Sequence, residues 1–505
     1  MIEADVHSSL LAFLREQGQP HWHHHLTMGR LVARALRLGR SALIQTAAKS
    51  DTYALSYLIP ALMWSEGMVL VTPSTQQVKF REQTIPQLLS WLGVKKQVIV
   101  KDHLPTDPAF SGLCLISPQH WLNQDPSARA FPTLIDPVDE WETWTREHLT
   151  LHLHPKHWQD LSAAYEPHRP LIDQIYQQLG QTLFKHPFNP YQCYCLDPSE
   201  QELLTPLWET LPLSHLPPLW QQFKDQSQQA GHLIWTTLNR GQQTFSLHLA
   251  PIDLATYLNP LWQKQPVVLM GAFLDSHPQA PIYRQRLGLG DLTCLKFSTN
   301  RQTEHIHLYL PDRLPMPNTP EFQKVLMLQL HRLCRGGMVD QSFQYGLKDL
   351  RCVQRPVVIL LDDVPLKAQV GATLAAEYGS LVQVETTQLQ PDGILVAGWS
   401  FWHQYHDLLP TPQLLVIATL PFPSVEHPLV AGQVNYYKQQ RQDWFREYLL
   451  PMALRELQWA VLPVRESQGV VALLDNRVNY RSYGGQVLAA LEPFARIGLK
   501  GFGEL

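Results

Sequence analysis

Two rhythms alternate along this chain. Short unbroken apolar runs bounded by polar turns occur at 41–44 and in "GMVLVTPSTQQ" (67–77), "KKQVIVKD" (95–102), "GLCLISPQHWL" (112–122) and "PTLIDPVDEWETW" (132–144), the last run stopping at Asp136. Between them lie segments with apolar residues at helical spacing, such as "LTMGRLVARALRLG" (26–39), which halts at Gly39, and a helix expected over Tyr53–Met63. A strand that is apolar at every position is buried on both faces. Strands that alternate with helices form a parallel sheet covered on both sides.

From about 150 to 245 the rhythm changes. This stretch is rich in Gln, His, Trp and Leu and reads as helical ("PLIDQIYQQLGQTLF", "PPLWQQFKDQSQQ"), with Trp158, Trp220 and Trp235 expected to mark its core or a partner surface. Sheet pattern resumes in "FSLHLAP" and "QPVVLMGAFL", and a proline-rich link, "LPDRLPMPNTP" (310–320), leads to a second series. That series has a helix at 321–336, strands in "RPVVILLD", "SLVQVET", "DGILVAG" and "QLLVIATLPF", a long helix from about 429 to 460 and a last strand, "GVVALLD". The expected domains are therefore 1–150 and 246–309 as one α/β lobe, 151–245 as its helical insertion, and 310–505 as a second lobe.

Composition narrows the picture only a little. The 505 residues are 45% apolar and 17% charged, as in a folded chain of more than one domain, and the net charge of −4 gives no global positive field to draw in nucleic acid. Cys193-Tyr-Cys195 is a lone close pair among six cysteines, so a metal site is not expected there. The cluster "HWHHH" (21–25) also lacks a paired ligand motif, and no metal is assigned. The start, "MIEADVHSSLLAFLREQ", reads as an amphipathic helix rather than a signal peptide. No run approaches the ~18 apolar residues of a membrane span, and a cytoplasmic protein is expected.

Candidate chemistry begins at "LIQTAAKSDTYALSYLIPALM" (43–63), a strand, a small-residue loop and an apolar helix. A phosphate-binding loop is built this way, from glycines whose N–H groups close on the phosphates, a lysine at the helix start and a hydroxyl for Mg²⁺. Here Thr46, Ala47, Ala48, Lys49, Ser50, Asp51 and Thr52 fill the loop, without glycine. Ala48-Lys49-Ser50 mimics the usual lysine–hydroxyl ending, but Lys49 comes about one turn early and Asp51 brings negative charge.

Further along, "WSFWHQYHDLLPTPQLLVIATLPFPSVEHPLV" (399–430) and "FREYLLPMALRELQWAVLPVRESQGVVALLDNRV" (445–478) follow at a fixed separation. Together with "VTPST" (71–75), "LIDPVDE" (134–140) and "VVLMGAFL" (267–274), they resemble the DinG/XPD-type (Rad3-related) DNA helicases of superfamily 2 over nearly the whole chain. The resemblance implies two RecA-like lobes of the P-loop NTPase helicase fold, with an arch-like insertion in the first. It also implies ATP and Mg²⁺ as cofactors if the family activity survives, and single-stranded or forked DNA as partner. Family members carry the phosphate loop at 46–52, a D-E-A-H box whose first acid is Asp136, an S-A-T turn at 271–273, and a Q-x-x-G-R-x-x-R motif that ends at Arg465. Thr72, Ser74, Thr75, Ser400, Phe401 and Trp402 match positions on the nucleic-acid path.

The departures cluster at the ATP-contacting positions. Pro137 stands where the glutamate that polarises water belongs, and Gly271-Ala272-Phe273 lacks the S-A-T hydroxyls. His403, Gln404 and His406 replace the family's Glu, Gly and Asp, and Val461-Leu462 replaces the Gly-Arg pair that includes the arginine finger. One cysteine, Cys114, lies between the loop and Asp136 where a cluster needs four, so no iron–sulfur cluster is expected. The expectation is a pseudo-helicase that binds nucleic acid or a protein partner with little or no ATP turnover. Two alternatives stand beside it: an active ATP-dependent DNA helicase with a rebuilt site, and a protein-interaction scaffold.

Overall fold

The structure is a computed structural model, and it describes residues 2–18, 21–125, 131–211, 216–335 and 356–498. It divides into two units, 1–297 with 424–447, and 298–423 with 448–505.

The first unit opens with β1 (Ala42–Thr46), β2 (Met68–Val71), β3 (Val98–Val100), β4 (Leu113–Ile116) and β5 (Thr133–Ile135). The insertion then contributes β6 (Leu151–Leu153), β7 (Cys193–Cys195), β8 (His232–Asn239) and β9 (Thr244–Pro251), before β10 (Val267–Ala272) and β11 (Thr293–Lys296) return to the main sheet. That sheet is parallel throughout, in the order β11-β1-β10-β5-β2-β4-β3. Side chains alternate across it. Ile44, Leu70, Leu115, Leu134 and Met270 face one layer of helices, while Leu43, Val69, Ile116, Ile135 and Leu269 face the other. The second layer holds a tryptophan cluster, Trp121, Trp141 and Trp262, with ring centroids 5.4–5.9 Å apart.

The insertion differs from the helical reading. Its helices cover one face of a four-stranded antiparallel sheet, β6-β9-β8-β7, to which "FSLHLAP" belongs rather than to the main sheet. Period-two alternation is present in β8 and β9: Ile234, Leu238, Phe245, Leu247 and Leu249 point into the insertion core with Trp158 and Trp220. The other face carries His and Thr as well as Trp235, which disguises the alternation in sequence, and β6 and β7 are too short to signal themselves.

The second unit has β12 (Ile306–Tyr309), β13 (Val357–Leu360), β14 (Val382–Val384), β15 (Ile394–Ala397), β16 (Leu414–Ile417), β17 (Val470–Leu473) and β18 (Phe494–Ile497). Its sheet is again parallel, in the order β14-β15-β13-β16-β17-β12-β18. Residues 306–309, assigned from sequence to the first lobe, thus belong to the second. The long helix expected from 429 to 460 is two helices, Pro428–Gln439 and Leu450–Glu466. The first of them belongs to the first unit, where Leu429 packs on Trp235, Cys193 and Ala250 of the insertion sheet. Arg441, at a positive φ of 57°, breaks the helical run between them.

Candidate functional site

Strand β1 delivers Thr46 into the loop at its C-terminal end, where ligands bind in open parallel sheets. The Thr46 hydroxyl donates to Ala48 O at 3.1 Å and to Gly271 O at 3.3 Å, closing the loop onto the end of β10. Lys49 precedes a single helical turn, Ser50–Tyr53, and the apolar helix Leu55–Met63 follows.

The centre of the site is Asp136, fully buried at the end of β5. Three hydroxyls from the loop and helix donate to its carboxylate: Ser50 Oγ, Tyr53 Oη at 2.5 Å and Tyr57 Oη at 2.8 Å. Burial raises the Asp136 carboxyl to about 6 even though all three hydrogen bonds act to lower it. Both phenols are themselves pushed well above their ordinary value, by burial first and by the Asp136 charge second. Counting back from Pro60, Tyr53 is where the family's lysine would fall. Where the resemblance expects a lysine, the Tyr53 side chain reaches inward to Asp136.

The rest of the loop is tied down in the same way. Asp51 accepts from Gln76 Nε2 at 2.5 Å and Lys79 Nζ at 2.6 Å, on the helix that follows β2. The "HWHHH" cluster is used for packing. Trp22 lies against Tyr53, Phe297 and His25, with centroids 6.0, 5.4 and 5.5 Å away. His25 meets Ser56 Oγ at 2.8 Å, and burial lowers its imidazole to about 4, so it is neutral at pH 7.

Asp139, the second acid of the D-P-V-D stretch, accepts from Ala272 N at 3.3 Å. It occupies the space beside Gly271: a Cβ there would lie 2.9 Å from Asp139 Oδ1 and 3.0 Å from its backbone nitrogen. The family's serine does not fit unless this acid moves. Gln45, buried in mid-sheet on β1, fixes the loop beyond. Its amide donates to His277 O and Pro278 O, at 3.1 and 3.0 Å, and its carbonyl accepts from Asp275 N at 3.0 Å. Asp275 in turn caps the helix Pro281–Arg286 through the N–H groups of Ile282 and Tyr283. Tyr53, Tyr57 and Gln45 are the site residues that the sequence reading did not select; their signal is a polar group at an otherwise apolar strand or helix position.

Of the residues matched to the nucleic-acid path, Thr72 is buried at the end of β2, while Ser74 and Thr75 are exposed at the start of the helix Ser74–Lys79. In the second unit, Ser400 is exposed at the start of the helix Trp399–Tyr405. Phe401 is half-buried against Tyr405, and Trp402 is buried with its indole N–H donating to Ala460 O at 3.3 Å.

Arg465 is neither a surface residue nor a partner of a carboxylate. It is 3% exposed, and its guanidinium donates to four carbonyls: Glu304 at 3.0 Å, Pro493 at 3.2 Å, Leu491 at 2.7 Å and Glu492 at 3.2 Å. Burial lowers it to about 10, so it stays charged.

Residues 411–494 match the helicase C-terminal domain family. A 285-residue stretch is 26% identical to the ATP-dependent DNA helicase YoaA of Escherichia coli K12, covering 53% of this chain and 42% of that one. The Haemophilus influenzae YoaA is 25% identical over 279 residues, covering 53% and 41%. The chain is thus similar to helicases of the DinG/XPD type, over its C-terminal helicase domain and over about half of its length. Its match spans about two fifths of the length of these curated relatives. The fold agrees: the structure of Xpd4 from S. tokodaii superposes with a TM-score of 0.58 at 13% identity, over 94% of this chain and all of that one. An XPD helicase gives 0.59 at 11% identity, over 95% and 100%. Both parallel sheets thus share the RecA-like fold of these structures. Among the described residues no helix is long and apolar enough to cross a membrane, and no group of three or more His, Cys, Asp or Glu is placed to hold a metal ion.

Proposed function

We propose that this chain is a pseudo-helicase: a helicase-family protein that engages single-stranded nucleic acid or a protein partner with little or no ATP hydrolysis. One observation carries the reading. The Asp136 carboxylate, which the family's chemistry needs for Mg²⁺, is buried under Ser50, Tyr53 and Tyr57 and satisfied by their hydroxyls. Loss of a single transition-state donor costs a factor of about 10²–10³ in rate, and here lysine, glutamate and arginine finger are all replaced. Lys49 and Arg465 do not substitute, since Lys49 sits a turn early and Arg465 is spent on carbonyls.

The decisive experiment titrates the intact chain with a fluorescent ATP analogue and Mg²⁺, then measures phosphate release with and without single-stranded DNA. The expected result is neither saturable binding nor DNA-stimulated release. Turnover at a helicase-like rate that is abolished by Asp136→Ala would overturn the reading in favour of an active enzyme with a rebuilt site.

Nucleic-acid binding is supported by the exposed hydroxyls of Ser74, Thr75 and Ser400 at helix starts, where family members receive phosphates. Contacts of this kind are sequence-independent, so affinity for an oligonucleotide should fall steeply with salt. The net charge of −4 favours the scaffold reading instead. An absence of salt-sensitive binding would select it.

A further inference from the structure

Parallel sheets are ordinarily covered on both faces, because a strand apolar on both sides has to be kept from water at every position. At one corner of the first unit the cover is incomplete. The helix His25–Leu38 lies over β1, and beside it a recess of about 220 Å³ opens over the edge strand β11. Its floor is Ile44 and Leu295, register partners on β1 and β11 whose side chains therefore share a face. Its wall is one stripe of the helix, Leu31, Arg34 and Leu38, with Leu38 41% exposed. Arg40 closes the mouth at the turn into β1.

The charges distinguish this recess from an incidental dent. Arg37, one turn further along the same helix, is paired with Glu3 at 2.7 Å. Arg34 and Arg40 are exposed and have no ion-pair partner among the described residues. Two guanidinium groups thus flank an open apolar floor.

We propose that this recess is the docking site for an acidic amphipathic helix of a protein partner, lying alongside His25–Leu38 as the missing cover of the sheet corner. Its leucine-type side chains fill the space over Ile44 and Leu295, and its carboxylates pair with Arg34 and Arg40. A strand added to the free edge of β11 would leave the recess unfilled. A nucleic-acid backbone would satisfy the arginines but bring nothing apolar to the floor. The inference goes beyond the nucleotide question, since none of these residues belongs to the Asp136 site.

The test uses the full chain and a fluorescein-labelled helical peptide with leucines at i, i+3, i+4 and i+7 and glutamates elsewhere, read by fluorescence anisotropy. Saturable binding is expected, weakened about tenfold by Arg34→Glu with Arg40→Glu and by Leu38→Glu. A lysine version of the peptide should bind the charge-reversed chain in preference to the wild type. Thermal melts of these surface variants should match the wild type, which separates lost docking from lost folding. Absence of saturable binding overturns the proposal, as does binding indifferent to all three substitutions. If the double arginine variant loses affinity for a single-stranded oligonucleotide while its affinity for the acidic peptide is unchanged, the arginines form a nucleic-acid patch and the proposal also fails.

Discussion

Asp136 in the first unit and Arg465 in the second are the two charged residues that the family resemblance aligns with ATP-handling motifs, and both are buried. Their environments differ instructively. Asp136 is held by three neutral hydroxyls that its own charge attracts, in a place where burial pulls its carboxyl up to about 6. Arg465 is held by four backbone carbonyls, Glu304 just ahead of β12 and Leu491, Glu492 and Pro493 just ahead of β18. One charge is switchable within ordinary pH and is served by side chains. The other is fixed, and it serves the backbone. Each has a structural role of its own, Asp136 in holding the loop and Arg465 in holding backbone carbonyls.

The largest effect is expected at Arg465. Arg465→Ala removes a donor from four carbonyls, of which Pro493 O still accepts from Ile306 N and Glu492 O from Thr299 Oγ1, and opens a hole behind the helix Leu450–Glu466, so a loss of about 3–5 kcal/mol is expected in chemical denaturation of the second unit. Arg465→Lys should recover only part of it, because an ammonium does not present the planar fork. A stability equal to wild type with only a kinetic defect would return Arg465 to an arginine-finger role.

Asp136 sharpens the contrast through pH. Its folded pKa lies above the ordinary carboxylate value, so folding favours the protonated form. The stabilisation from this group is fully present below about pH 4 and is lost as pH rises through about 6. The gap between 3.8 and about 6 corresponds to at most about 3 kcal/mol. Asp136→Asn removes that slope, so subtracting its stability–pH curve from the wild-type curve should isolate a fall between pH 4 and 6. A flat difference would mean that the three hydroxyls compensate burial completely. Next in size is Gly271→Ser, which restores the family residue but forces it against Asp139; a loss of about 1–3 kcal/mol in thermal melts is expected. Pairing it with Asp139→Ala, which removes the contact with Oδ1 but leaves those with the Asp139 nitrogen and Leu274, should reduce the cost in part.

Much of this was legible in sequence, for definite reasons. The strands β1, β2, β4, β13, β15, β16 and β17 are apolar at nearly every position because they are buried on both faces, and such runs announce themselves. The insertion sheet was not legible, since β8 and β9 carry on their second face a mixture of His, Thr and Trp that hides their alternation, and β6 and β7 span three residues each. In the site, the absence of glycine and the misplaced Lys49 could be read directly. The use of Tyr53 and Tyr57 could not: a tyrosine in an apolar helix looks like core until a buried acid is found 2.5 Å from its hydroxyl. Arg465 posed the reverse problem, because an arginine near the end of a helix reads as solvated until the carbonyls around it are known.

The smallest effect is also the one that separates the two functional readings most cleanly. Asp51 lies in the loop next to the position where a triphosphate would sit, and it is paired with Lys79, the side chains being 53% and 45% exposed. An exposed pair of this kind is worth about 0.2–1 kcal/mol, so Asp51→Asn should barely move the melting temperature. Its effect on nucleotide is a different matter. If the loop still cradled phosphates, removing a nearby negative charge and releasing Lys79 would tighten the fluorescent ATP analogue, and the effect would shrink as salt is raised. If Ser50, Tyr53 and Tyr57 hold the loop on Asp136, the substitution changes the surface alone and the analogue stays unbound at every salt concentration. A variant near-silent in stability that nonetheless gained analogue binding would show that the phosphate loop of the first unit is open after all, and would leave Arg465 as the only one of the two residues committed to structure.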